Sequence, residues 1–201
     1  KEENKKKVCE EFGLEYSPER PLYAMVSRLV GQKGIDLIRQ CESEMKSLNA
    51  DFVFLGSGDK DYENLLIWLS NNSTNIRAYI GYRTDLANQI YAGSDFYLMP
   101  SKFEPCGLSQ LIAMRYGSLP VVRATGGLED TVTGYPLADS NGFKFWGYSG
   151  WDMMQAIYCS LGVYQDKYTF NAMRKTAMET DFSWRRSSAV YLNMYKELVQ
   201  K

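Results

Sequence analysis

Residues 96–122, FYLMPSKFEPCGLSQLIAMRYGSLPVV, decide the fold class. Four apolar residues give way to a polar loop containing Pro100, Pro105 and Gly107. A helical pattern then occupies residues 108–116, and a second apolar run fills residues 119–122. Strand, helix, strand is the βαβ unit, whose crossover lays its two strands parallel. FYLM and LPVV are continuously apolar instead of alternating, as expected of parallel strands roofed by helices on both faces.

The same alternation extends outward in both directions. Strand-like runs occupy Leu22–Val26, 51–55, Ile76–Ile80 and, at the far end, 142–145; helical patterns occupy 34–46, 62–69, 84–92 and 128–132. An initial helix over residues 2–12 stops at Gly13, a residue suited to the left-handed position that ends helices. Beyond Phe145 the pattern becomes wholly helical, at 151–162, 168–178 and Trp184–Val199. The expectation is an α/β fold: a doubly wound, Rossmann-like parallel sheet followed by C-terminal helices. The last helix carries Trp184, Tyr191, Met194, Tyr195 and Leu198 at helical spacing, an apolar stripe.

Composition narrows the function. With 201 residues, 45% hydrophobic and 23% charged, the chain has apolar mass for one substantial core. Its net charge is −1 and its Lys and Arg are dispersed, which argues against a nucleic-acid partner. Histidine is absent, and Cys9, Cys41, Cys106 and Cys159 form no CxxC pair. A zinc site, a disulfide framework and His-based catalysis are therefore disfavoured, and neither a metal nor a cofactor is expected. The longest apolar runs are strand-sized and the N-terminus reads KEENKKK, so no membrane partner and no secretion signal are expected. A reducing, soluble compartment is the default expectation. An upstream targeting peptide stays open, because the chain opens on Lys instead of Met.

In such a sheet, ligands bind beyond the carboxyl ends of the strands, and the chemistry-bearing residues fall there. SRLVGQKG follows the first strand; its Arg28 and Lys33 lie between a strand and a helix N-terminus, where two cations can clamp a diphosphate. The plainer reading is two solvated surface charges. RATGGLED follows the fifth strand, and Gly126 and Gly127 either let the backbone approach a phosphate or simply make a tight turn. Glu104, just beyond the fourth strand, suits sugar hydroxyls or a positively charged transition state, or else caps a helix. Cys106 stands near a helix N-terminus but has no histidine to serve as its base, so a packed side chain is the better reading than a nucleophile. Tyr82, after the third strand, can stack on a purine, although a chain with 15 tyrosines uses most of them for packing.

The blocks SRLVGQKGIDLI, LGSGD, IGY, PSKFEPCGLSQLIAMRYGSLPVV, RATGGLEDTV and METDFSW, in this order and spacing, resemble the glycogen and starch synthases of the GT-B class of glycosyltransferases. The resemblance spans nearly the whole chain and matches that family's C-terminal domain. It implies retaining transfer of glucose from ADP-glucose to the non-reducing end of an α-1,4-glucan, in the cytoplasm or, in a plant, the plastid. It also implies that Arg28 and Lys33 contact the donor diphosphate and stabilise departing ADP, and that Glu104 lies by the transferred glucose, the three forming the catalytic set. Cys106, Gly107 and Leu108 would offer backbone N–H groups to sugar or phosphate, Thr125, Gly126 and Gly127 would face the diphosphate, and Tyr82 would stack on adenine.

Many other retaining GT-B enzymes carry a second Glu eight residues after the first; here Ile112 stands there, and the glycogen and starch synthases likewise lack an acid at that point, which leaves ribose recognition unassigned. The resemblance divides the chain into a nucleotide-sugar-binding domain at 1–182 and a helix at 183–201 that crosses to an absent N-terminal domain, through which the glucan acceptor binds. The chain alone would then bind ADP weakly and catalyse nothing. Alternatives are another GT-B enzyme with a different donor and a non-catalytic nucleotide- or glucan-binding module. A dinucleotide-dependent oxidoreductase fits the fold but not a first loop built on Arg and Lys.

Overall fold

Every strand-like run of the sequence forms a strand in the computed structural model, which describes residues 1–199. The strands are β1 (Leu22–Val26), β2 (Asp51–Gly56), β3 (Ile76–Ile80), β4 (Phe96–Met99), β5 (Leu119–Arg123) and β6 (Phe143–Phe145). The helices are α1 (Glu2–Glu11), α2 (Ile35–Gln40), α3 (Glu42–Ser47), α4 (Lys60–Asn71), α5 (Thr84–Gly93), α6 (Ser109–Arg115), α7 (Gly127–Thr131), α8 (Gly150–Gln165), α9 (Lys167–Glu179) and α10 (Trp184–Val199). All strand pairs are parallel, and the sheet order is β3-β2-β1-β4-β5-β6. This is the doubly wound, Rossmann-like arrangement.

Continuous apolar strands are explained by two cores, one on each face. Successive strand residues point to opposite sides: Tyr23, Met25, Phe52, Phe54, Phe96 and Leu98 enter one core with α2, α3, α4, α8 and α9. Leu22, Ala24, Val53, Leu55, Tyr97 and Met99 enter the other with α1, α5 and α7. At the centre of the first, Tyr23 stacks between Phe52 and Phe96 with ring centroids 5.0 and 4.7 Å away. On the second, α1 is tied to the base of β4 by Lys5, whose Nζ lies 2.7 Å from Asp95 Oδ2 with both side chains buried.

One expected helix divides. Residues 34–46 form α2 and α3, separated at Cys41 (φ −120°, ψ 21°), whose thiol donates to the Leu37 carbonyl at 3.0 Å. The apolar spacing of Ile38, Cys41 and Met45 keeps a helical phase across the break, so periodicity alone does not reveal it. At the other end, α10 forms as expected, and none of its residues is buried. Its apolar stripe therefore finds no cover on this domain. No helix among the described residues is long and apolar enough to cross a membrane.

Candidate functional site

The sheet order reverses between β1 and β4, with β2 and β3 on one side and β5 and β6 on the other. The carboxyl ends of these two strands are thus the switch point where a crevice opens. The pairing shows how. β1 pairs with β4 at Tyr23 with Phe96 and at Ala24 with Tyr97, whereas it stays in register with β2 as far as Val26. Beyond Val26 the chain still follows β2, with Ser27 N–H donating to Leu55 O at 3.0 Å and Leu29 N–H to Ser57 O at 2.9 Å. The loop carrying Arg28 consequently leaves β4 and overhangs the gap.

Two loops meet across that gap. Lys33, at the end of a 3₁₀ turn (Gly31–Lys33), places its Nζ 2.6 Å from Glu104 Oε2, and the two side chains are only 17% and 10% exposed. Ser101 Oγ donates to the same carboxylate oxygen at 3.2 Å. Gly34 makes the approach possible: its φ is 77°, and a Cβ there would collide with the Pro100 carbonyl. Lys102 N–H donates to Gln32 O at 2.8 Å, and Gln32 Nε2 donates to Phe103 O at 3.1 Å, so the loops are also joined through backbone.

The third loop supports the second. Gly126, with φ 49°, presses on the Glu104 carbonyl where a side chain would clash. Gly127 N–H donates to the carbonyls of Glu104 (3.0 Å) and Pro105 (3.2 Å), so this donor is engaged by protein instead of facing an open site. Thr125 lies half-buried beside them. Gln110 Nε2 donates to the carbonyls of Cys106 and Gly107 at 3.2 and 3.1 Å and holds the turn from below. Leu108 is exposed at the start of α6. Cys106 is also exposed, contrary to the expectation of a packed side chain. Its backbone is the part that packs, against Gly127.

Arg28 and Tyr82 lie in a cleft of about 380 Å³ at the ends of β1, β2 and β3, whose walls include Val26, Tyr91, Ser109 and Ile112. Tyr82 is 79% exposed, its ring free on the rim. The structure thus gathers Arg28 and Tyr82 into one cleft, and Lys33, Glu104, Thr125, Gly126 and Gly127 into an adjoining cluster of loops. The loop after β1 serves both.

Sequence reading missed the groups that fix this cluster. Arg123, at the end of β5, donates from Nη1 to Lys102 O (2.7 Å) and from Nε to Trp146 O (3.1 Å). Its guanidinium lies 5.5 Å from the Tyr148 ring centre, and the Tyr148 hydroxyl donates to Asp36 Oδ1 at 2.6 Å and sits 3.3 Å from the Gly31 carbonyl. Burial, then the bond to Asp36, pushes the Tyr148 phenol above its ordinary range and keeps it a donor. Arg123 and Tyr148 therefore hold the Glu104 loop and the Lys33 turn in one unit. Basic residues after apolar strands were the available signal, but nothing in the spacing links them to these carbonyls.

The family model described as glycosyl transferases group 1 matches residues 10–145. A glycogen synthase from Exiguobacterium sibiricum is 47% identical over 196 residues, covering 96% of this chain and 41% of the relative. One from Bacillus cereus is 42% identical over 203 residues, covering 100% of this chain and 43% of the relative. The chain thus spans well under half the length of these relatives. Among solved structures, the catalytic domain of starch synthase IV from Arabidopsis thaliana, bound to ADP and acarbose, superposes with a TM-score of 0.89 at 34% identity over 100% of this chain and 43% of that one. A sucrose-phosphate synthase from Thermosynechococcus elongatus shares the fold, with a TM-score of 0.70 at 18% identity over 97% of this chain and 49% of that one.

Proposed function

The chain belongs to the group 1 glycosyl transferases, and from that premise we propose that it is the donor-binding half of a glycogen or starch synthase. The reaction is retaining transfer of glucose from ADP-glucose to the non-reducing end of an α-1,4-glucan. The observation that carries this reading is the Lys33–Glu104 pair at the switch point, 2.6 Å apart, beside a cleft that holds Arg28 and Tyr82. Relatives named glycogen synthase, and a neighbour bound to ADP and acarbose, support the choice of donor and acceptor.

In this reading adenine enters the cleft and stacks on Tyr82, the diphosphate reaches Arg28 and Lys33, and the glucose lies by Glu104. As the bond from the anomeric carbon to ADP breaks, negative charge grows on the terminal phosphate, and the two cations neutralise it. The freed phosphate oxygen takes the proton of the acceptor 4-hydroxyl while that hydroxyl oxygen bonds to the anomeric carbon on the face ADP leaves, so configuration is retained. Double displacement needs a carboxylate on the opposite face, as in retaining glycosidases whose two carboxyls lie about 5–5.5 Å apart. The turn PSKFEPCG offers Glu104 as its one acid, which favours the front-face route. Residues 1–182 are the donor domain, and α10, none of whose residues is buried, crosses to an N-terminal domain that brings the acceptor. The protein works in the cytoplasm, or in the plastid if it comes from a plant.

Radiolabelled glucose transfer to glycogen, by the protein carrying both domains and with ADP-glucose or UDP-glucose as donor, tests the proposal. Transfer from ADP-glucose is expected. A preference for UDP-glucose would overturn the donor, and no transfer from either would leave a non-catalytic binding module. The chain alone is expected to bind ADP weakly and transfer nothing.

A further inference from the structure

Where β1 parts from β4, Val26 loses its strand partner. Its N–H and C=O face β4, yet the β1–β4 pairing stops at Ala24. A side chain fills the gap: the Tyr97 hydroxyl donates to Val26 O at 2.8 Å and accepts from Val26 N–H at 3.1 Å. Tyr97 is fully buried, and its ring stacks on Tyr91 with centroids 5.0 Å apart. The two hydroxyl oxygens are 3.2 Å apart.

The proton count fixes the direction of that last bond. Tyr97 has one hydroxyl proton. Given to Tyr91, it would leave the carbonyl of half-buried Val26 without this partner, and the shorter contact is the one to Val26. With that proton on Val26 O, the bond between the two hydroxyls has Tyr91 as its donor. Its own proton is then spent, and its lone pairs remain as acceptors. Tyr91 lines the same cleft as Arg28 and Tyr82, and its hydroxyl is next to an atom bonded to Val26, which is also part of that wall. Ile112, on the same wall, is apolar and cannot accept a hydrogen bond, whereas Ser109 and Asn88, also on it, can.

We infer that Tyr97 and Tyr91 form a hydroxyl relay beneath the cleft, in which Tyr97 positions the strand end that carries Arg28 and Tyr91 accepts a hydrogen bond from a ribose hydroxyl of the nucleotide. The inference rests on the nucleotide reading of the cleft given above. An obligate acceptor discriminates by chemistry: a ribose hydroxyl can donate to it, and a deoxyribose carbon cannot. Tyr97 acts through its neighbours and is a positioning residue, because Val26 is two positions before Arg28 and is held by that one hydroxyl on its β4 side.

Calorimetry on the protein carrying both domains, titrated with ADP, 2′-deoxy-ADP and 3′-deoxy-ADP, tests this. The wild type should bind one of the deoxy analogues about fivefold to tenfold more weakly than ADP, the worth of one hydrogen bond. Tyr91→Phe keeps the ring and should bind ADP and that analogue equally. Tyr97→Phe should reduce the same discrimination and lower turnover per calorimetrically counted ADP site, which loss of folded protein alone would not do. If the wild type binds ADP but does not discriminate, or Tyr91→Phe still discriminates, the relay is wrong and the nucleotide reading survives. If Tyr97→Phe leaves both discrimination and turnover intact, its positioning role is wrong. A wild type that does not bind ADP overturns the nucleotide reading and the relay together.

Discussion

A double-mutant cycle on Lys33 and Glu104 separates a catalytic pair from one that merely holds loops together. Lys33→Met leaves a carboxylate that is 10% exposed, with Ser101 as its remaining side-chain donor. Breaking a buried ion pair from one side costs about 3–5 kcal/mol; discounted for the solvent reaching the lysine, the loss here should be about 2–4 kcal/mol. Glu104→Gln keeps a carbonyl that can accept from both Lys33 and Ser101, so its loss should be smaller, about 1–2 kcal/mol. The double variant Lys33→Met/Glu104→Gln strands neither charge and should regain about 1–3 kcal/mol over the sum of the single losses. Urea unfolding measures these values. Turnover should behave differently. Each single variant should lose hundreds-fold in glucose transfer, about 3–4 kcal/mol of transition-state stabilisation, and the double should recover none of it. Singles within fivefold of wild type, or a double variant whose transfer recovers along with its stability, would show that the pair is a structural tie and that the charge on the leaving phosphate is met elsewhere.

Two further outcomes are expected. Asp51 is held by Arg20 at 2.8 Å, yet burial pushes its carboxyl above the usual range. The folded state then binds that proton more tightly than the unfolded state, so the group's contribution to stability is full below the unfolded value near 3.9 and is lost as pH rises through the folded value. The unfolding free energy of wild type minus that of Asp51→Asn should therefore fall as pH is raised from about 4; a difference that grows with pH would mean that the Arg20 bond, not burial, dominates. In α10, where Trp184 is 86% exposed, hydrogen exchange should slow when the N-terminal domain is supplied in trans, and unchanged exchange over Trp184–Val199 would refute the crossing.

The strands were legible because burial on both faces leaves little freedom in composition: a β2 reading FVFL and a β4 reading FYLM, each short and bounded by turn residues, fit the middle of a covered sheet. Parallel order then placed the loops at one edge, which is why Arg28, Lys33, Tyr82 and Glu104 could be singled out before any geometry was known. What spacing could not supply is which of them touch. Lys33 and Glu104 are 71 positions apart, and their meeting depends on Gly34 fitting against Pro100, a contact between two loops that no local pattern encodes. Thr125, Gly126 and Gly127 were legible as a phosphate-type turn, but a Gly pair reads the same whether its N–H groups face a ligand or, as for Gly127, a neighbouring carbonyl. The supporting groups were the least legible, for a common reason. Arg123, Tyr148, Gln110 and Tyr97 act by bonding backbone atoms of other loops or strands, and a backbone carbonyl carries no residue identity for a sequence to display. Tyr97 shows the limit best. Within FYLM it reads as one more apolar core residue, and its ring is one, but its hydroxyl takes the place of a missing strand at the point where the sheet opens. A polar atom on a buried side chain becomes informative only once the topology says which backbone groups the fold has left unpaired.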